Sequence, residues 1–177
     1  MIYFTSDHHF GHSNIIEYCN RPFESVEQMD KELIERWNDV VKPGDIVYHL
    51  GDFCLRDRKY AERILSQLNG RISLISNYFH HDKWMPKDLN SVISFSKSGD
   101  PVVIKPMIFE IKYKNVVFVC SHFPMYSWPK MHYNSIHLHG HVHGKQVILS
   151  SLLHIDVGVD SHEFTPISVD KIIIGEQ

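Results

Sequence analysis

The sequence predicts an α/β fold with either one mixed β-sheet or two packed sheets, and three observations carry that prediction. Short apolar runs alternate with stretches of helical periodicity through the first half of the chain. Strand-like runs follow one another in the second half, separated by turn residues. No internal repeat, low-complexity tract or linker interrupts the 177 residues, so one domain spanning 1–177 is expected.

Each element has its own signal. Ile2–Thr5 is a short β-prone apolar run that opens the fold as a buried strand. Ser25-Val26-Glu27-Gln28 has the form of a capping box, and Val26, Met29, Leu33, Trp37 and Val40 then recur at helical spacing up to Pro43-Gly44. Ile46–Leu50 is a second strand. A helix from about Lys59 to Leu68 packs through Ile64, Leu65 and Leu68, with Asn69-Gly70 as its stop signal. Ile72–Ile75 is the third strand. Val92–Phe95, Val102–Ile104, Met107–Tyr113 and Val116–Cys120 follow as strands, with a hairpin turn near Asn115, and Ile136–Leu138, Val147–Leu149 and Leu153–Val157 are further short candidates.

Composition narrows the function classes. Hydrophobic residues make up 43% and charged residues 22%, the balance of a foldable globular chain. Eighteen Lys and Arg against 21 Asp and Glu give a formal charge of −3, which argues against an extended nucleic-acid-binding surface. Cys19, Cys54 and Cys120 form no paired framework, no apolar run approaches a membrane span, and the N-terminus lacks a secretory pattern. The expectation is therefore a cytoplasmic protein with no membrane partner. The 14 histidines stand out, because histidine is the commonest metal ligand and titrates near neutral pH.

Their placement is more informative than their number. Ile2–Thr5 runs into Asp7-His8-His9, Ile46–Leu50 into Gly51-Asp52, and Ile72–Ile75 into Ser76-Asn77. Val116–Cys120 runs into Ser121-His122, and Ile136–Leu138 into His139-Gly140-His141-Val142-His143. Taken singly, Asp-x-His, Gly-Asp or a lone Asn reads as ordinary turn chemistry. Together they place a potential metal ligand beyond five strand ends, where ligands collect in open α/β sheets.

The order Asp-x-His, Gly-Asp, Asn, His, Gly-His-x-His resembles that of the calcineurin-like metallophosphoesterases, and it covers the chain from Asp7 to His143. The stretches Tyr3–His12 and Tyr48–Phe53 look like the small single-domain bacterial or phage members. The resemblance implies a sandwich of two mixed β-sheets flanked by helices in four layers. It also implies two divalent metal ions, with manganese first and iron, zinc, nickel or magnesium as alternatives. Asp7, His9 and His143 would hold one ion; Asn77, His122 and His141 would hold the other; Asp52 would bridge both. Two ions about 3.5–4 Å apart activate a bridging hydroxide and clamp the oxygens of an in-line displacement at phosphorus. The implied activity is hydrolysis of a small phosphodiester or nucleotide; a phosphomonoesterase and a metal-binding scaffold of weakened activity are the alternatives.

One segment departs from the pattern. The family usually shows Gly-Asn-His-Asp after the third strand, where the His protonates the leaving oxygen. Here the segment reads Ser76-Asn77-Tyr78-Phe79-His80-His81-Asp82. His81-Asp82 restores the His-Asp end after a three-residue insertion, so His80 or His81 is the candidate general acid. His12, Asn14 and Arg56 follow the first two motifs and are candidates for substrate contact. Among the remaining histidines, His8 is expected to point away from the site, His49 to be structural and His139 to orient a ligand. The sequence leaves the oligomeric state open.

Overall fold

The computed structural model describes residues 1–76, 81–89, 91–147, 151 and 153–175. Ten strands and four α-helices are described: β1 (Ile2–Thr5), α1 (Asn14–Tyr18), α2 (Val26–Val40), β2 (Ile46–His49), α3 (Arg58–Leu65), β3 (Arg71–Ile75), β4 (Val92–Phe95), β5 (Pro101–Lys105), β6 (Ile108–Tyr113), β7 (Val116–Ser121), β8 (Ile136–His139), β9 (His154–Asp156), β10 (Ile167–Ser168) and α4 (Val169–Ile174). The strands form two mixed sheets, six-stranded in the order β10-β1-β2-β3-β5-β4 and four-stranded in the order β6-β7-β8-β9. The fold is the two-sheet α/β sandwich flanked by helices.

Local sequence explains the principal helix. Ser25 Oγ accepts from the Gln28 N–H at 3.2 Å, while Gln28 Oε1 accepts from the Glu24 N–H at 2.8 Å. The return bond of the capping box therefore lands one residue before the cap. Met29, Leu33 and Trp37 form the buried stripe of α2. The α3 helix begins on an Asp57 cap, which accepts from the Tyr60 N–H at 2.9 Å. It ends at Leu65 with Ser66 as C-cap, three residues short of the expected Leu68, although Leu68 is still buried. Gly70, at φ +96°, belongs instead to the turn that leads into β3.

Two apolar layers result. On one face of the larger sheet, Val47, Ile72, Leu74, Val102 and Ile104 pack against the helical stripe of Met29, Leu33 and Trp37. Its other face meets the smaller sheet: Phe4 of β1 lies 5.7 Å from Phe118 of β7, ring to ring, within a cluster that includes Leu50, Cys120, Leu138 and Val157. Burial of this kind contributes roughly 25 cal/mol per Å² of apolar surface. The outer face of the smaller sheet is covered in part by Trp128, whose ring lies 5.1 Å from that of His137.

Direction of the strands positions the site. β1, β2, β3 and β5 are mutually parallel, as are β7, β8 and β9. Backbone bonds lace the loops beyond their carboxyl ends together. The Asp7 N–H donates to Gly51 O at 3.0 Å, His9 N–H to Asp52 O at 2.9 Å, Gly140 N–H to His122 O at 2.9 Å, and Val159 N–H to Ser6 O at 3.1 Å. The last of these joins the two sheets at the end where the polar motifs lie. The sequence reading did not include α1, β10 or α4. Val147 lies outside any strand, and residues 148–149 of that expected strand fall outside the described residues. No helix among the described residues is long and apolar enough to cross a membrane.

Candidate metal centre

Among the described residues, five of the expected ligands adopt left-handed backbone conformations: Asp7 (φ 59°), His9 (54°), Asp52 (54°), His141 (72°) and His143 (51°). Such conformations are several-fold enriched in Asp, Asn and His, and they cost on the order of 1–3 kcal/mol where the surroundings impose them. Gly140 and Gly158 make the close approach possible. A Cβ on Gly140 would be driven into Ser6 and the Asp7 carboxylate, and a Cβ on Gly158 would lie 2.8 Å from Asp7 Oδ2.

The side chains converge in two groups. The ligand atoms of Asp7, His9 and His143 lie within 4.8 Å of one another, as do those of Asp52, His122 and His141. Asp52 stands between them: its Oδ2 is 3.4 Å from His9 Nε2 and 3.6 Å from His122 Nε2. Donors bound to one ion at about 2.0–2.2 Å are themselves separated by roughly 3–3.5 Å, so these spacings suit metal ligands. The group that follows β3 adds His81, whose ring lies 5.4 Å from that of His9, and His9, Asp52 and His81 form a further convergent set.

Electrostatics favour a cation here. Burial pushes the Asp7 carboxyl up to about 8; His143 partly offsets this and Asp52 reinforces it. Burial also holds His9 well below the usual imidazole range, helped by Arg21 and His143, so His9 presents a neutral ring. Asp7 Oδ1 and His9 Nε2 are buried and make no hydrogen bond among the described residues. Unpaired buried polar atoms of this kind are costly unless something binds them. A mixed set of imidazole and carboxylate donors suits manganese, iron, zinc or nickel, and the residues present therefore fit divalent ions.

The other ring nitrogens are also engaged. His122 Nδ1 pairs with Leu50 O at 2.9 Å and His143 Nδ1 with Asp160 Oδ2 at 2.7 Å, leaving each Nε2 toward its group. His9 Nδ1 lies 3.4 Å from His12 Nδ1. The His141 N–H donates to Asp7 Oδ2 at 2.9 Å, so each group is tied to the other through backbone as well as side chains.

Asn77 and His80 lie outside the described residues. His81 is described: its N–H donates to Asp52 Oδ1 at 3.0 Å, and its ring is 6.0 Å from that of His12. Asp82 is fully buried and accepts from the Phe53 N–H, the Cys54 N–H and Trp84 Nε1 at 2.8–3.0 Å. It thus clamps the loop after Asp52. Asn14 is exposed at the start of α1, and Arg56 turns its guanidinium toward the Tyr60 ring at 5.5 Å. Among the described residues neither shares a hydrogen bond or ring contact with the ligand groups, whereas His12 does. His8 faces the helical layer, its ring 5.3 Å from that of Trp37, and pairs with His49 of β2 at 3.0 Å, while His139 pairs with Gly140 O and His154.

The sequence reading missed Arg21 and Asp160. Neither stands in a strand-end motif, and they are 139 residues apart in the chain. A lone Arg in a loop and an Asp before Ser161 carry no pattern that marks them. Phe123, packed edge-on against His122 and His141 at 4.8 and 4.6 Å, was missed as well.

No family model matches the chain. It is 36% identical over 179 residues to the uncharacterised protein MJ1445 of Methanocaldococcus jannaschii, covering 97% of this chain and 89% of that protein. It is 28% identical over 180 residues to the gene 66 protein of Mycobacterium phage L5, covering 90% and 86%. Among solved structures, a protein of unknown function from Aquifex aeolicus, AQ665, superposes with a TM-score of 0.71 at 26% identity over 98% of both chains. A novel archaeal phosphodiesterase, at 16% identity and a TM-score of 0.47 over 89% of this chain and 81% of that one, is too distant to bear on the site.

Proposed function

The chain belongs to one family with the Methanocaldococcus jannaschii protein MJ1445, and from the arrangement at its strand ends we propose that it is a metal-dependent phosphoesterase of the calcineurin-like type, acting on a phosphodiester or nucleotide. The observation that carries this reading is the position of Asp52. One of its carboxylate oxygens faces both His9 and His122 and so joins the two ligand groups.

In this reading Asp7, His9 and His143 would hold one ion, and His122 and His141, with Asn77 outside the described residues, would hold the other. Asp52 serves both. When bound, two such ions supply Lewis-acid stabilisation of phosphoryl oxygens and lower the pKa of a coordinated water. The chain does the rest. The left-handed turns at Asp7, His9, Asp52, His141 and His143 fix the donors before substrate arrives. His81, tied to Asp52 through its own N–H, would give the proton to the leaving oxygen. His12, half-buried beside His9 and His81, would serve as a contact for a phosphoryl oxygen. The formal charge of −3 favours a small substrate over a long nucleic-acid tract.

Hydrolysis of bis-p-nitrophenyl phosphate and p-nitrophenyl phosphate by metal-stripped protein, with Mn²⁺, Ni²⁺, Zn²⁺ or Mg²⁺ restored, tests the proposal. Turnover that returns with metal and falls about 10²-fold or more in Asp52→Asn is expected. A folded, metal-loaded protein that hydrolyses neither would overturn it in favour of a metal-binding scaffold. The ratio of the two rates separates diester from monoester preference.

A further inference from the structure

Arg21 lies in the loop after α1, and its side chain is completely buried. A guanidinium has five N–H donors in a rigid fork, and here each meets an acceptor. Nε donates to Asp160 Oδ1 at 2.8 Å. Nη2 donates to Asp160 Oδ2 at 2.8 Å and to Asp7 O at 2.6 Å. Nη1 donates to His8 O at 2.9 Å and approaches Met29 Sδ at 3.6 Å. The Phe164 ring lies 5.7 Å from the guanidinium carbon.

The other partner in the pair is equally committed. Asp160 sits in the 3-10 turn Val159–Ser161 that follows β9, and its Oδ2 accepts from both Arg21 and His143 Nδ1. The two carbonyls held by Arg21 belong to the turn in which Asp7 and His9 are left-handed. One guanidinium therefore grips the backbone that carries two ligands of the first group and, through one carboxylate, the ring of the third.

We propose that Arg21 and Asp160 are positioning residues for the ion held by Asp7, His9 and His143. Asp160 takes the Nδ1 proton of His143 as a hydrogen bond, which fixes the ring with Nε2 toward the group and makes that nitrogen a better donor. Arg21 orients Asp160 through Nε and Nη2, and holds the Asp7–His9 turn through the carbonyls of Asp7 and His8. In the second group, of Asp52, His122 and His141, the ring of His122 takes its orientation from Leu50 O instead. The inference rests on the metal-centre reading above and adds a residue-level asymmetry to it.

Titration of metal-free protein with Mn²⁺ by calorimetry, with metal content counted after dialysis, tests it. Wild type is expected to bind two ions. Asp160→Asn is expected to weaken one of them about 10- to 100-fold, the usual cost of losing an outer partner of a ligating His, and to leave the other unchanged. Metal-free Asp160→Asn is expected to melt below wild type, since the buried Arg21 guanidinium loses its counter-charge, so the two proteins are compared at a temperature where both are folded. Arg21→Lys should weaken the same ion and change the Co²⁺ absorption spectrum in the same way as Asp160→Asn, because a lysine cannot span both the carboxylate and the two carbonyls. Two ions bound with wild-type affinity in Asp160→Asn would overturn the positioning role alone. A wild-type protein that binds no Mn²⁺ would overturn the metal-centre reading and this inference together.

Discussion

The backbone N–H of His81 donates to Oδ1 of Asp52 at 3.0 Å, while the other oxygen of the same carboxylate faces His9 and His122. The segment after β3 thus reaches the site through its main chain as well as through the His81 imidazole.

His81→Ala is expected to slow esters with alkyl leaving groups by about 10²–10⁴-fold and nitrophenyl esters far less, because a poor leaving group needs the proton more. Rates on paired substrates of matched charge check this. Equal losses on both would remove His81 from the acid role, and the parallel His80→Ala series would then show whether its neighbour holds it.

Gly140→Ala is expected to destabilise the protein by about 1–3 kcal/mol, since the added methyl meets Ser6 and the Asp7 carboxylate in a packed site. Asp7 must move to admit it, so affinity for divalent metal should fall in the same variant. Urea unfolding of metal-free protein and Mn²⁺ titration measure the two effects. A variant with wild-type values for both would show that the approach of β8 to β1 is looser than it looks.

Asp82→Ala leaves the N–H groups of Phe53 and Cys54 and the Trp84 indole without their acceptor. Unmet buried donors cost about 1–3 kcal/mol each, so a loss of roughly 3 kcal/mol or more is expected, with reduced activity because Asp52 begins the clamped loop. Chemical denaturation reads the first and the metal-restored phosphodiesterase assay the second.

The metal-free protein should lose stability as pH rises from about 6.5 to 8. Burial raises the folded-state value of Asp7 to about 8, against an unfolded value near 4. Across that interval the folded chain binds a proton that the unfolded chain does not, so stability is greatest below the unfolded value and is lost as pH climbs through the folded one. His143 is also raised: burial opposes its charge, but the Asp160 hydrogen bond and Asp7 outweigh burial, and its sign is the same. His8 and His9, lowered first by burial, work in the opposite direction only below about 6.5, where the unfolded imidazole binds the proton. The Asp7 contribution is at most about 1.4 kcal/mol per pH unit. Saturating Mn²⁺ should abolish the decline, because bound cations keep Asp7 ionised. Urea midpoints at pH 6.5, 7.2 and 8.0, with chelator and with Mn²⁺, distinguish the two courses, and parallel declines would count against a cation at Asp7.

Strand and helix positions were legible in this chain because their signals are local. The apolar run Ile2–Thr5, the Ser25 cap and the stripe through Met29, Leu33 and Trp37 specify their elements within a few residues, and Asp7, His9, Asp52, His122, His141 and His143 stand out because each follows such a run. The α4 helix and the two-residue β10 carry too little local pattern and exist through their packing on β1. The sequence by itself determined the set of donors, since imidazoles and carboxylates just beyond apolar strand runs are a property of order and composition. Only the tertiary structure decided which groups share an oxygen of Asp52, that the Asp82 carboxylate clamps the loop after Asp52, and that Asp160, paired with Arg21 139 residues away, bonds His143. Those are contacts between loops, set by how two sheets pack and how left-handed turns aim their side chains, and no spacing along the chain encodes them.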